Sequence, residues 1–260
     1  MNEERGYSAA AIDAKLASVK QRAAGQQKRV PLQQYVERFS QADPQLLSAR
    51  SGVAYDADSQ EFHLTMLGRP VIVRWPSLEC VYGELDAGVD VITHASDSHS
   101  QDVPHSDGED LVTSALKAGQ GDGDASSLTE YERILLACLL LEGTVTPASG
   151  SYISYAEIPN GTTYYQAYKR RCLDRFVKRF GADVEGFKRA SSRIGGVAIS
   201  EGDVAYEIEF VNGVFVRLIL WEGDDEYPAN AQITYSDNIV WAFNSESTAV
   251  LTEEILAALG

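Results

Sequence analysis

The dipeptide Asn212-Gly213, set between two strand-like runs, constrains this chain more than any other feature. Asn-Gly takes the positive φ values that a two-residue hairpin turn needs, so alternating apolar residues on both sides of it predict a β-hairpin. On the N-terminal side Val204, Tyr206, Ile208 and Phe210 alternate with Ala205, Glu207 and Glu209, the pattern of a strand with one buried face. On the other side Val214–Trp221 is apolar on both faces apart from Arg217, which predicts a strand in the interior of a sheet. Ala231–Tyr235 and Ile239–Phe243 read as two further short strands, and Thr248–Leu259 as a closing amphipathic helix.

A second hairpin is expected near the N-terminus. Phe62, Leu64 and Met66 alternate with His63 and Thr65, Leu67-Gly68-Arg69-Pro70 turns the chain, and Val71, Val73 and Trp75 alternate on the return. Two strands alone are marginal, so this hairpin should dock on the C-terminal portion. Helices are expected at Ser8–Ala24 and Pro31–Ala42, the second with Leu32, Tyr35, Val36 and Phe39 at helical spacing. Ser127-Leu-Thr-Glu130 reads as a capping box opening a helix that runs from Leu128 to Glu142 and is closed by Gly143. Thr163–Phe180 places Tyr164, Tyr168, Cys172, Phe176 and Phe180 at successive i+4 positions, and Val184–Ile194 follows as a third helix. The fold class is therefore α+β, an antiparallel sheet packed against helices.

The acidity behind the formal charge of −16 is concentrated in two blocks. Residues 83–126 carry one cation against ten carboxylates, and residues 201–260 carry one against twelve. From Glu84 to Ser126 there are no aromatic residues and few large apolar ones, a composition that cannot offset the entropy of ordering, so the block is expected to be a disordered linker. The organisation expected is an N-terminal helical segment (1–50), a docking hairpin (51–82), the acidic linker (83–126) and an α+β core (127–260).

Several function classes are disfavoured. Phosphates repel so acidic a surface, which argues against nucleic acid as partner. The longest apolar run, Ile134–Leu141, is far short of the ~20 residues of a membrane span. No signal peptide is visible, and Cys80, Cys138 and Cys172 lie far apart in no ligand spacing, so a reducing, cytoplasmic location is expected. His94, His99 and His105 lack the spacings of a zinc site, and Gly121-Asp-Gly-Asp lacks the sixth- and twelfth-position residues of an EF-hand. There is no GxGxxG after a strand, no GxxxxGK[ST] and no GxSxG.

The densest polar motif is Trp221-Glu-Gly-Asp-Asp-Glu-Tyr-Pro-Ala229. Its carboxylates repel one another unless cations, a metal or hydrogen bonds compensate, so the stretch is either a site for acid–base or metal chemistry or a solvated turn. Lys169, Arg170, Arg171, Arg175, Lys178 and Arg179 on the Thr163–Phe180 helix could neutralise it, with Asp225–Arg171 and Glu226–Arg175 as the expected pairs. A pocket is expected near Tyr152, Tyr155, Tyr164 and the acidic turn, with Asp224, Asp225, Glu226 and Tyr227 as its polar side.

Together, Gly52-Val-Ala-Tyr55, Phe62-His-Leu64, Leu67-Gly-Arg69, Trp75-Pro76, Gly161-Thr-Thr-Tyr164, Phe187, Gly195-Gly196, Gly202-Asp203 and above all Trp221–Ala229 resemble the bacterial and archaeal family of domain of unknown function 3786, over residues 30–82 and 127–258. The resemblance implies an anaerobic context in which relatives carry or neighbour iron–sulfur modules, although this chain has no cysteine cluster. It brings no established activity, cofactor or catalytic residue. Two readings remain open: a module that binds a small ligand or a protein in anaerobic metabolism, and an enzyme that uses the carboxylates of the Trp221–Ala229 turn.

Overall fold

The computed structural model describes residues 31–83 and 128–260. In chain order they form α1 (Leu32–Gln41), α2 (Pro44–Ser51), β1 (Ala54–Asp56), β2 (Glu61–Met66), β3 (Arg69–Arg74) and β4 (Glu79–Tyr82). From residue 128 come α3 (Glu130–Glu142), β5 (Tyr152–Ser154) and α4 (Gly161–Tyr168), which continues through a π turn (Lys169–Leu173) into α5 (Asp174–Phe180). Then follow α6 (Val184–Arg193), β6 (Val197–Ile199), β7 (Val204–Val211), β8 (Val214–Trp221), β9 (Asn230–Ser236), α7 (Ile239–Ala242) and α8 (Ser245–Leu259). The expected helix at 8–24 and the acidic block lie outside the described residues.

The strands form one antiparallel sheet in the order β4-β3-β2-β7-β8-β9-β5, with β1 added to β2 and β6 to β7. Asn212 and Gly213 take φ of 38° and 78° and join the Val211–Val214 pair, as their residue types require. Asn212 also ties the two hairpins together. Its side-chain oxygen accepts from the Thr65 backbone N–H at 2.9 Å, next to the single β2–β7 register pair, Met66–Val211. Leu67 donates to the Phe210 carbonyl at 2.9 Å across the same joint. The N-terminal turn is tighter than expected: Leu67 and Gly68 alone make it, both at positive φ, and Arg69 and Pro70 already belong to β3.

Helices cover one sheet face. Phe62, Met66, Ile208, Phe210, Val216, Leu218, Leu220 and Tyr235 turn into a single core with the buried faces of α1, α3, α5, α6 and α8. Helix α3 is buried from Leu135 to Leu141, so its apolar circumference does mark a central element. Its capping box is Thr129 with Glu132 rather than Ser127 with Glu130, because it is Thr129 whose hydroxyl meets the third helical N–H. All three cysteines are free thiols and buried. No helix among the described residues is long and apolar enough to cross a membrane.

Ile239–Phe243 is not a strand. Ile239–Ala242 is one helical turn, and the cause is Asn238. That side chain is only 2% exposed; its amide donates to the carbonyls of Thr146 (2.7 Å) and Gly213 (2.8 Å) and its oxygen accepts from Ser236 Oγ at 2.5 Å. The chain is thereby bent at the end of β9, where local apolar alternation carries no sign of it. Asn238→Ala should lower stability by about 2 kcal/mol, since it removes a buried amide and strands two half-buried carbonyls; a loss under about 0.5 kcal/mol in denaturant unfolding would contradict this role.

Where α3 begins, Thr129 Oγ1 donates to Glu254 of α8 at 3.1 Å, and Glu132 stands close by. Burial, partly offset by the Thr129 hydrogen bond, raises the Glu254 carboxyl above its ordinary pKa, with the Glu132 charge adding to the rise. A raised folded-state pKa contributes stability that is complete below the unfolded-state value and is lost as pH rises through the folded value. Glu254→Gln should therefore be more stable than the parent at pH 7, with the difference closing as the pH falls below the ordinary glutamate range. Denaturant midpoints of the two proteins across that range measure it.

Candidate ligand cleft

A straight α-helix cannot keep residues at strict i+4 spacing on one face, because each step overshoots a turn by about 40° at about 100° per residue. Here Tyr168, Cys172, Phe176 and Phe180 are nevertheless all buried. The π turn at Lys169–Leu173, closed by the Asp174 N–H on the Lys169 carbonyl, inserts the extra residue that draws the stripe back into phase. Upstream of it the buried face therefore runs through Tyr168 and Tyr165, and Tyr164 is left 37% exposed.

Beside this turn lies a cleft of about 430 Å³ between the α4–α5 helix and the ends of β8 and β9. Tyr165, Lys169, Leu173 and Val177 line the helix side, and Trp221 with Asn230–Ile233 line the strand side. Tyr155 and Tyr168, also in the lining, stack with parallel rings 3.8 Å apart. Behind them the Tyr168 and Tyr235 hydroxyls meet at 2.8 Å, and Tyr235 reaches Thr252 Oγ1 at 2.6 Å. Tyr155 donates to the Ser245 carbonyl at 3.0 Å. Burial pushes all three phenols above their ordinary pKa, so this wall is neutral and fixed. At the rim, Lys169 and Asp174 pair across the π turn.

Beyond Val177 lies a more open cleft of about 700 Å³ between the α5–α6 corner and the acidic turn, with Lys178, Asp183, Glu185, Lys188 and Glu222 around it. The turn itself is exposed from Glu222 to Pro228. Asp224 Oδ1 accepts the backbone N–H groups of Glu226 (2.8 Å) and Tyr227 (2.6 Å), and these bonds, that of Tyr227 first, hold its carboxyl below the ordinary aspartate range. Asp224 thus shapes the turn, while Tyr227 stands 69% exposed among the carboxylates.

Contrary to expectation, no ion pair joins the turn to the helix among the described residues. Arg171 lies on the opposite side of the helix from the cleft, donating to both oxygens of Glu253 at 2.6 and 2.7 Å and approaching Glu246 at 3.5 Å. These hydrogen bonds, outweighing its burial, raise the Arg171 pKa and keep it charged. Arg175 and Glu226 form no ion pair with each other. Of the other cations on this helix, Lys169 pairs with Asp174, and Arg179 reaches Asp183 and the Gly260 carbonyl just past α8.

Of the other residues expected at a site, the structure brings Tyr155 into the cleft but places Tyr152 on the far face of the sheet. There its hydroxyl donates to Glu207, and Arg217 lies 3.5 Å over its ring while bonding to Glu207 (2.8 Å) and Glu201 (2.6 Å). Strand alternation explains the separation: Ile153 faces the helices with Tyr235, so Tyr152 cannot. Tyr165, Trp221 and the β9 residues were missed; the one signal that could have found Tyr165 is the i+4 drift that only a π turn corrects. Among the described residues no group of three or more His, Cys, Asp or Glu is arranged to hold a metal ion.

A protein-family model described as "Domain of unknown function (DUF3786)" matches residues 108–258, which takes in the cleft, the acidic turn and the sheet from β5 to β9. The match begins within the acidic block and leaves the N-terminal hairpin outside. Comparison with curated proteins gave no match, and comparison with solved structures gave none.

Proposed function

Starting from the Domain of unknown function (DUF3786) family, to which this chain belongs, we propose that the protein is a binding module whose ligand occupies the cleft between the α4–α5 helix and the ends of β8 and β9. The observation that carries this reading is the cleft's construction. Its volume of about 430 Å³ falls within the range of small-molecule and short-peptide sites, its floor is a rigid stacked tyrosine pair, and polar groups sit at the rim. The π turn lies where the lining needs it, a helical irregularity often associated with function. The carboxylates of the turn face solvent beside the cleft, and no observation favours acid–base or metal chemistry by them. A cytoplasmic setting accords with three buried free thiols, and the anaerobic context belongs to this reading as well.

Aromatic fragments test the site. Indole, benzoate and benzamidine at millimolar concentration are applied in thermal unfolding to the parent and to Tyr165→Ala. At least one should raise Tm by about 3–6 °C, the effect of a ligand near ten times its Kd on a domain of this size, and Tyr165→Ala should remove the shift. Tyr152→Phe, on the far sheet face, should keep it. A shift that survives Tyr165→Ala would place the ligand elsewhere.

A further inference from the structure

Strand β9 is only half covered on its outer side. Strand β5 pairs with Thr234, Tyr235 and Ser236 and ends at Ser154, where the chain leaves the sheet into the 3-10 turn Tyr155–Glu157. No described segment pairs with Asn230–Ile233 on that side. The direction of the main-chain groups follows from one bond: the Asp237 N–H donates to the Ser151 carbonyl at 3.0 Å. Main-chain groups alternate sides along a strand, so Tyr235, Ile233 and Ala231 also turn theirs outward, while Asn230, Gln232 and Thr234 serve β8. Ile233 and Ala231 thus present N–H and C=O groups along the edge that lines the cleft.

Resting on the binding-module reading, we propose that the occupant of this cleft is an extended segment of a partner polypeptide rich in lysine or arginine, which adds to the outer edge of β9 as a strand. The free edge supplies two N–H and two C=O groups in strand register, which is what recognition by strand addition uses. Residues alternate along an added strand, so one row faces Tyr165, Leu173 and Val177. The charge of the partner follows from the turn that leads directly into Asn230. Glu222, Asp224, Asp225 and Glu226 are exposed there, and none forms an ion pair among the described residues. Tyr227 adds an aromatic face open to a cation. Charge complementarity therefore selects a basic segment over an acidic one.

The probe is a capped hexapeptide of alternating lysine and valine, titrated into the full chain by calorimetry. It is compared with the same peptide N-methylated at alternate residues and with its glutamate–valine counterpart. On the protein side, Ala231→Pro removes an edge N–H that takes no part in the β8 ladder, a substitution that strand edges tolerate. N-methylation in the register that faces β9 and Ala231→Pro should each weaken binding about tenfold, the equivalent of roughly 1.4 kcal/mol. Asp225→Asn combined with Glu226→Gln should weaken it severalfold and flatten its salt dependence. If Ala231→Pro fails to fold, both registers of the methylated peptide decide. Undiminished binding by both methylated peptides overturns strand addition, and tighter binding of the glutamate peptide overturns the charge assignment. Should no peptide bind while the aromatic fragments still give a Tyr165-dependent shift, this inference falls and the cleft reading stands; if the fragments fail as well, both fall.

Discussion

Gly161→Ala should cost about 3 kcal/mol of stability, the upper end of what over-packing does to a core. A Cβ at this position would lie 1.8 Å from the Tyr155 carbonyl oxygen and 2.9 Å from its carbonyl carbon, both backbone atoms that cannot swing aside. Gly161 opens α4, and its N–H donates to the Ile158 carbonyl at 2.7 Å, so the helix start is pressed against the segment that carries Tyr155. Relieving the clash means moving Tyr155 away from Tyr168. The variant should thus lose fragment binding even under conditions where it remains folded. Denaturant unfolding measures the first effect, and a loss below about 1 kcal/mol would show that the close approach is not tight in solution.

The Arg171–Glu253 pair is expected to give the second largest effect. Both side chains are about three-quarters buried, with 27% and 22% exposure, and the bond is bidentate. Arg171→Gln should cost about 2–3 kcal/mol, less than the roughly 3–5 kcal/mol of a fully buried pair because water still reaches both groups. In a double-mutant cycle with Glu253→Gln the coupling should exceed about 1 kcal/mol, whereas Arg171→Gln with Asp225→Asn should be additive within about 0.5 kcal/mol. Coupling to Asp225 instead would mean that the turn folds back on the helix.

These two sites show why the chain was legible in parts. Asn212-Gly213 specifies its hairpin because the constraint is local, a matter of positive φ at two adjacent residues. The alternation of β7 and the buried stripe through Cys172, Phe176 and Phe180 were equally local. The one-turn helix after β9 was missed because a single buried asparagine bends the chain through contacts with Thr146 and Gly213, distant in sequence. Strands β1, β5 and β6 have three residues each, too few for a period to declare itself. Of the residues expected at a site, Tyr155 lines the proposed cleft and the acidic turn flanks it. Tyr152 and Tyr164 went elsewhere for two geometric reasons, strand alternation and the π turn. Charge was the least legible property of all, since six cations in sequence cannot say which of twelve C-terminal carboxylates they will meet.

The most direct test of the cleft as the ligand site is a backbone and indole NMR shift map of the full chain titrated with indole and with the lysine–valine peptide. The largest changes should cluster at Tyr155, Tyr165, the Lys169–Leu173 turn, the Trp221 indole and Ala231–Ile233, with the peptide alone also moving Asp225–Tyr227. Changes centred instead on Tyr152, Glu207 and Arg217, on the other face of the sheet, would contradict it.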